Sequence, residues 1–248
     1  MGERRADGYH DLEAEMVSLD LSDELELVEP GEGIELEADP GTRAEDLDVG
    51  GGNLVERALS LAGRRARVRL LKRIPLGGGL GGGSTDAAAV LRWAGISDLE
   101  LAASLGGDVP FCVVGGRALV RGIGEQVEPL EHLERSVVLV LPPFGVDTAA
   151  AYRALDELRA EGELRPERNE LRPAAERVRP ALRRWREVLE DLCGAEAVLA
   201  GSGSTLFVEG SRASLGLTGL DVLEVDGARG RLIEARAVRA TFGELESP

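Results

Sequence analysis

Lys72-Arg73-Ile74-Pro75-Leu76-Gly77-Gly78-Gly79-Leu80-Gly81-Gly82-Gly83-Ser84-Thr85-Asp86 is the stretch from which the rest of this chain is read. Six glycines flank one leucine, and the run ends in two hydroxyls ahead of an alanine-rich segment. Glycine brings bare backbone N–H groups up to a bulky partner and tolerates φ values that other residues avoid. A following helix turns its unpaired N–H groups and its positive dipole end the same way. Phosphate suits that geometry. A β-like run, Ala66 to Leu71, leads in, and a helix-like run, Ala87 to Trp93, leads out. Both features separate the stretch from a Gly/Ser linker. The Gly-Lys-Ser/Thr ending of a Walker A loop is missing, which disfavours a P-loop NTPase. Gly77, Gly79 and Gly82 meet the Gly-x-Gly-x-x-Gly pattern, but a run this rich in glycine meets it by chance. A dinucleotide fold also needs an acidic strand end ~20 residues later. Asp98 and Glu100 lie near there, inside a helical pattern from Asp98 to Leu105.

Length and composition bound the remaining classes. A chain of 248 residues holds one large domain or two ordinary ones. The hydrophobic fraction of 43% supports real cores, and an aromatic fraction of 3% makes them aliphatic. A formal charge of −16 argues against nucleic acid or an anionic membrane as partner. It leaves room for a phosphorylated small molecule, because a local cradle can override the global field. Cys112 and Cys193 are too few and too far apart for a disulfide framework or a metal knuckle, and read as buried thiols in a reducing compartment. No signal peptide or membrane-length apolar run is visible, so the expected location is cytoplasmic. Lys72 is the only lysine. It reads either as a solvated strand end or as a cation serving the phosphate loop.

Organisation along the chain is that of an α/β half followed by an α+β half. Leu12 to Val28 reads as strands, residues 29–52 as an acidic, glycine-rich surface excursion, and Asn53 to Leu61 as a helix. Phe111 to Val114 and Arg117 to Val120 read as strands around Gly115-Gly116. A boundary near Glu131 to Arg135 divides the chain into expected domains of 1–133 and 134–248. Beyond it, Val137 to Leu141 reads as a buried strand, Thr148 to Arg159 and Pro173 to Leu192 as helices, and Ala197 to Ala200, Thr205 to Val208 and Leu232 to Val238 as strands. The arginine-rich face around Arg183 to Arg186 reads as solvated.

Four motifs now combine in order: Asp7-Gly8-Tyr9-His10, the glycine loop, Gly106-Gly107-Asp108-Val109-Pro110-Phe111, and Ala200-Gly201-Ser202-Gly203-Ser204-Thr205. In this order the chain resembles the GHMP small-molecule kinases over nearly its whole length. The Arg-x-Asp-Gly-Tyr-His and Gly-x-Asp-Val-Pro-Phe segments are similar to the branch whose substrate is a cytidine-diphosphate-bearing alcohol. The resemblance implies a two-domain fold, an S5-like N-terminal domain and a ferredoxin-like C-terminal domain, with the active site in the cleft between them. It implies ATP and Mg2+ as cofactors. Pro75, Leu76, Gly77, Gly78, Gly79, Leu80, Gly81, Gly82, Gly83, Ser84 and Thr85 would wrap the ATP phosphates. Asn53 and Lys72 match positions near the nucleotide base and ribose. Asp108 matches the catalytic aspartate that receives the substrate hydroxyl. Without the resemblance it reads as a turn residue. Tyr9, His10 and Tyr152 match the cytidine pocket, and Gly201, Ser202, Gly203 and Ser204 match a second glycine turn over the substrate. The implied partner is a small-molecule substrate, with no nucleic acid and no membrane, the chain being a monomer or weak homodimer.

Two departures stand beside the resemblance. The family begins with a strand carrying Pro-Ala-Lys-Ile/Leu-Asn, whose lysine pairs with the catalytic aspartate. This chain starts at Met1-Gly2-Glu3-Arg4-Arg5, past that position, and Lys72 matches a different one. The expectation is a start codon assigned too far downstream. The stretch between Thr85 and Asp108 is also shorter than usual. Three other readings compete: a nucleotide-binding module of the same fold without catalysis, a GHMP kinase acting on another small alcohol, and a dinucleotide-dependent oxidoreductase.

Overall fold

Strand pairing follows the apolar alternation of the sequence. The structure is a computed structural model that describes residues 5, 8, 10–47 and 52–240. The chain forms two compact units. The first holds Met1–Ile74, Gly81–Glu134 and Ala237–Pro248, and the second Pro75–Leu80 and Arg135–Arg236. In the first, β1 (Leu12–Val17), β5 (Arg117–Gly122) and β6 (Gln126–Pro129) form an antiparallel sheet with β5 central. A second sheet sets β4 (Arg67–Lys72) between β2 (Glu24–Val28), antiparallel, and β3 (Ile34–Ala38), parallel. The parallel pair needs a crossover, supplied by α1 (Leu54–Leu61). Asn53 caps α1 through a hydrogen bond from Val55 N to its Oδ1 at 2.8 Å.

Period-two alternation along β4 buries Val68, Leu70 and Lys72 and exposes Arg67 and Arg69. Arg69 pairs with Glu26 on β2 and Glu35 on β3, so the exposed face is laced by charge across all three strands. Against the buried face pack α1 and α2 (Gly82–Trp93), followed by α3 (Leu99–Ala103) and α4 (Val109–Val114). Ala58, Ala87 and Ala88 are fully buried, and their small size lets α1 and α2 approach closely.

The second unit is one antiparallel sheet, ordered β10 (Val222–Val225), β11 (Ala228–Arg236), β7 (Ser136–Leu141), β9 (Leu206–Glu209) and β8 (Val198–Leu199). Its helices are α5 (Thr148–Glu161), α6 (Leu171–Val178) and α7 (Ala181–Cys193). Trp185 and Leu189 of α7 share one core with Val138 and Val140 of β7 and with Leu206 and Leu232. Phe144 meets the Trp185 ring edge-on at 6.3 Å.

Several elements differ from the sequence reading. Phe111–Val114 belongs to helix α4, although aromatic and β-branched residues favour strands. Pro110 in the first turn presets a helical φ, Gly115 at φ 71° stops the helix, and burial of Val109 and Val113 against α2 outweighs propensity. The acidic excursion contains β3, whose Ile34 and Leu36 alternate with glutamates. The single helix expected over Pro173 to Leu192 is two, because Pro180 forces Arg179 out of helical geometry (φ −132°, ψ 83°). The boundary at 133/134 is crossed twice. Pro75–Leu80 packs with the second unit, while Val238 N bonds Ser18 O at 2.9 Å in the first. The arginine face is solvated at Arg183 and Arg184, as expected, and it also carries an ionic clamp, since Arg172 of α6 and Arg183 and Arg186 of α7 converge on buried Glu176.

Burial pushes the Glu176 carboxyl up, but hydrogen bonds from Arg186 and Arg183 outweigh it and hold the pKa below the usual value. A depressed carboxylate contributes stability that is present above its unfolded pKa and lost as pH falls through the folded one. Glu176→Gln should therefore lower stability at neutral pH and flatten the acid limb of the stability curve, checked by urea unfolding between pH 3 and 7 (about the range of carboxylate titration). Trp185→Ala should cost about 3–5 kcal/mol in the same assay.

Candidate active site

Helix α2 opens the site. Its N-cap is Gly81 in the left-handed region (φ 67°), with no side chain capping the first turn. By contrast α1, α3 and α5 are capped by Asn53, Asp98 and Asp147. The first N–H groups of α2 and the positive end of its dipole are therefore left to an external acceptor. The helix also begins five residues before the expected Ala87, so Gly82 and Gly83 are helical and the loop proper is Pro75 to Gly81. Thr85 is turned inward. Its hydroxyl donates to Gly81 O at 3.1 Å and lies 3.4 Å from the Cys112 sulfur. Burial pushes the Cys112 thiol up to about 11, above the ordinary cysteine value.

Asp108 stands at the start of α4, exposed, with no capping hydrogen bond from the helix it precedes. A Cβ placed on Gly81 would lie 3.9 Å from its Oδ2, so a carboxylate stands beside the uncapped turn of α2. Desolvation by the surrounding protein raises its pKa above the ordinary aspartate value.

The glycine loop gets its shape from the second glycine motif. Ser204 N and Thr205 N donate to Gly77 O and Gly78 O at 3.2 and 3.0 Å, and Val146 N reaches Gly77 O at 3.4 Å. A Cβ on Gly79 would sit 2.2 Å from Ala200 O and 2.7 Å from Gly203 N, and its φ is 74°. No side chain fits there. Asn169 braces the turn by donating to Leu199 O at 2.9 Å and Gly201 O at 2.7 Å. The Ser204 hydroxyl donates to Phe144 O, and Ser202 and Thr148 hydroxyls pair at 2.8 Å. Ser204 N, in the turn expected over the substrate, is thus engaged with the glycine loop.

Lys72 is not the solvated strand end that its position allowed. Its side chain is 1% exposed and bonded to Asp23 and, at 2.8 Å, to Asp86. Burial drives the Asp86 carboxyl up to about 7 against the pull of Lys72. Asn53 is buried as the cap of α1. His10 is buried in the first unit, Tyr152 is half-buried on α5 in the second, and Tyr9 lies outside the described residues. The sequence reading missed Asp23, Asp86 and Asn169. Asp86 carried a signal, being a carboxylate set on the apolar alanine stripe of α2.

The profile of the GHMP kinases N terminal domain matches residues 53–116. A solved 4-(cytidine 5'-diphospho)-2C-methyl-D-erythritol kinase is 32% identical, with a TM-score of 0.64 over 94% of this chain and 92% of its own. The mevalonate kinase of Methanococcus jannaschii shares the fold at 11% identity, with a TM-score of 0.56 over 94% and 93%. The chain belongs to the GHMP kinase family. Among its relatives, the 4-diphosphocytidyl-2-C-methyl-D-erythritol kinases of Pelotomaculum thermopropionicum and Moorella thermoacetica are 46% and 44% identical over 168 residues. These matches cover 61% and 62% of this chain but only 57% and 58% of the relatives, so it spans less than two-thirds of their length.

Gly79→Ala should force the loop off the 200–205 turn. The expected outcome is a loss of about 1–3 kcal/mol in stability, read by thermal unfolding, together with weakened nucleotide binding in calorimetry.

Proposed function

We propose that the chain is an ATP-dependent kinase that phosphorylates the 2-hydroxyl of 4-diphosphocytidyl-2-C-methyl-D-erythritol, a step toward isoprenoid precursors. The observation that carries this reading is the Asp108 carboxylate beside the uncapped first turn of α2. An anion-binding helix end next to an accessible carboxylate is what phosphoryl transfer to an alcohol asks of a protein: one group to hold phosphates, one to orient the nucleophile. The names of the relatives support the substrate.

In this reading the N–H groups of the glycine loop and of the Gly82–Ser84 turn receive the triphosphate. Asp108 accepts the hydrogen bond of the alcohol. Among the described residues no group of three His, Cys, Asp or Glu forms a metal cage. Mg2+ fits without one, because it is held largely by substrate phosphates and water with one or two protein oxygens. The Ser84 hydroxyl, in the first turn of α2, would supply such an oxygen. When bound, Mg2+ neutralises charge on the triphosphate. The family resemblance assigns Tyr9, His10 and Tyr152 to the cytosine. Among the described residues no helix is long and apolar enough to cross a membrane. That is compatible with an enzyme working in the cytoplasm on a small molecule, as a monomer or weak homodimer.

The test is ADP formation from Mg-ATP and 4-diphosphocytidyl-2-C-methyl-D-erythritol. Stoichiometric ADP and phosphorylated product are expected. ATP binding without turnover would mark a nucleotide-binding module, and turnover of an alcohol lacking cytidine would reassign the substrate. Asp108→Asn should lower kcat about 10²–10⁴-fold while ATP affinity stays near that of the parent. Tyr152→Ala should raise KM for the cytidylyl substrate about tenfold, the loss of one stacking contact of about 1–3 kcal/mol, and leave KM for ATP unchanged. Equal effects on both KM values would remove Tyr152 from the cytosine pocket.

A further inference from the structure

The glycine loop leaves β4 after Ile74 and re-enters the first unit at Gly81. Its two ends are joined by buried charge. Asp23, just ahead of β2, accepts from Arg73 N at 2.5 Å and Ile74 N at 2.8 Å through Oδ1, and from Lys72 Nζ through Oδ2. Lys72 Nζ also donates to Asp86 Oδ2 at 2.8 Å, in the second turn of α2. The three side chains are 1%, 1% and 4% exposed. Ile74 and Gly82 are packed so closely that a Cβ on Gly82 would lie 3.0 Å from Ile74 Cγ2 and 3.2 Å from Lys72 Nζ.

We propose that Asp23, Lys72 and Asp86 are positioning residues, a buried latch that ties the two ends of the glycine loop together and so fixes the aim of the first turn of α2. The proposal rests on the kinase reading for what that turn binds. Three arguments support it. Buried ion clusters seldom stabilise a fold more than packed apolar residues would, so a cluster of this kind calls for a geometric reason. All three residues sit at the exit and re-entry of the loop, with Asp23 spending one oxygen on the two amides that lead into it. The single lysine stands among 29 basic residues that are otherwise arginine. A compact ammonium can lie beneath Gly82, where the broad, planar guanidinium would meet the helix backbone. The latch is not symmetric: Asp86 Oδ1 is buried without a hydrogen-bond partner, so Lys72 is what holds Asp86 in place.

The test uses the full chain with Asp86→Ala, which cuts the tie and leaves Lys72 paired with Asp23. Asp86→Asn, which keeps an oxygen for Lys72, serves as the rescue. Calorimetry with ATP should show affinity reduced about tenfold in the alanine variant and largely restored by asparagine, with KM for the alcohol substrate little changed. Hydrogen exchange at 82–86 should quicken about tenfold or more in the alanine variant while 87–93 keeps its protection. Unchanged ATP affinity and unchanged exchange would overturn the latch. So would a uniform loss of protection along α2, or a failure of asparagine to restore it, either of which assigns the cluster to general stability. If Asp86→Ala does not fold, Asp23→Asn replaces it, and failure of both to fold overturns the proposal in the same way. A parent chain that binds no ATP would instead sink the kinase reading, and the exchange pattern alone would then decide the latch.

Discussion

A loop made of glycine has no side chains with which to hold itself, and the rest of the structure answers to that constraint. Gly77 and Gly78 offer their carbonyls to Ser204 N and Thr205 N, and Gly79 presses against Ala200 and Gly203 with no room for a Cβ. The two glycine motifs, far apart in the chain, are one backbone-to-backbone contact. Asn169 then braces the partner turn from outside. Glycine has two uses here: it lets backbone amides face a ligand, and it lets another strand of backbone come close enough to fix them.

The electrostatics follow a similar economy. A chain with net charge −16 cannot attract polyphosphate through its overall field. Under the proposed function the attraction would be local, from peptide dipoles at the start of α2, where no side chain caps the first turn. The one lysine nearby is spent on Asp23 and Asp86 inside the unit. Elsewhere arginines do the connecting work, as around Glu176 and across β2, β4 and β3.

Much of this was legible in sequence where a local rule acted alone. The amphipathic pattern of Asn53 to Leu61 gave α1 with its cap, and Asp98 marked the start of α3. The rules failed where tertiary burial competed with propensity. Phe111–Val114 became helical because its apolar residues gain more by packing on α2 than by pairing as a strand. Residues 29–52 looked like a surface excursion because β3 lies at a sheet edge, where every second residue is a solvated acid. Lys72 looked like a strand end or a ligand contact, yet its parity with Val68 and Leu70 already placed it on the buried face of β4.

By itself the sequence determined the family, through four short motifs, and determined that a glycine loop would feed a helix. These are local matters: glycine at a given position permits a conformation whatever surrounds it. Only the tertiary structure decided that the second glycine motif clamps the first, that Asp108 stands beside the open turn of α2, and that Lys72 is shared by two buried carboxylates. Each of those facts joins residues from 14 to more than 100 positions apart. The burial that gives them their strength exists only once the chain has folded around them.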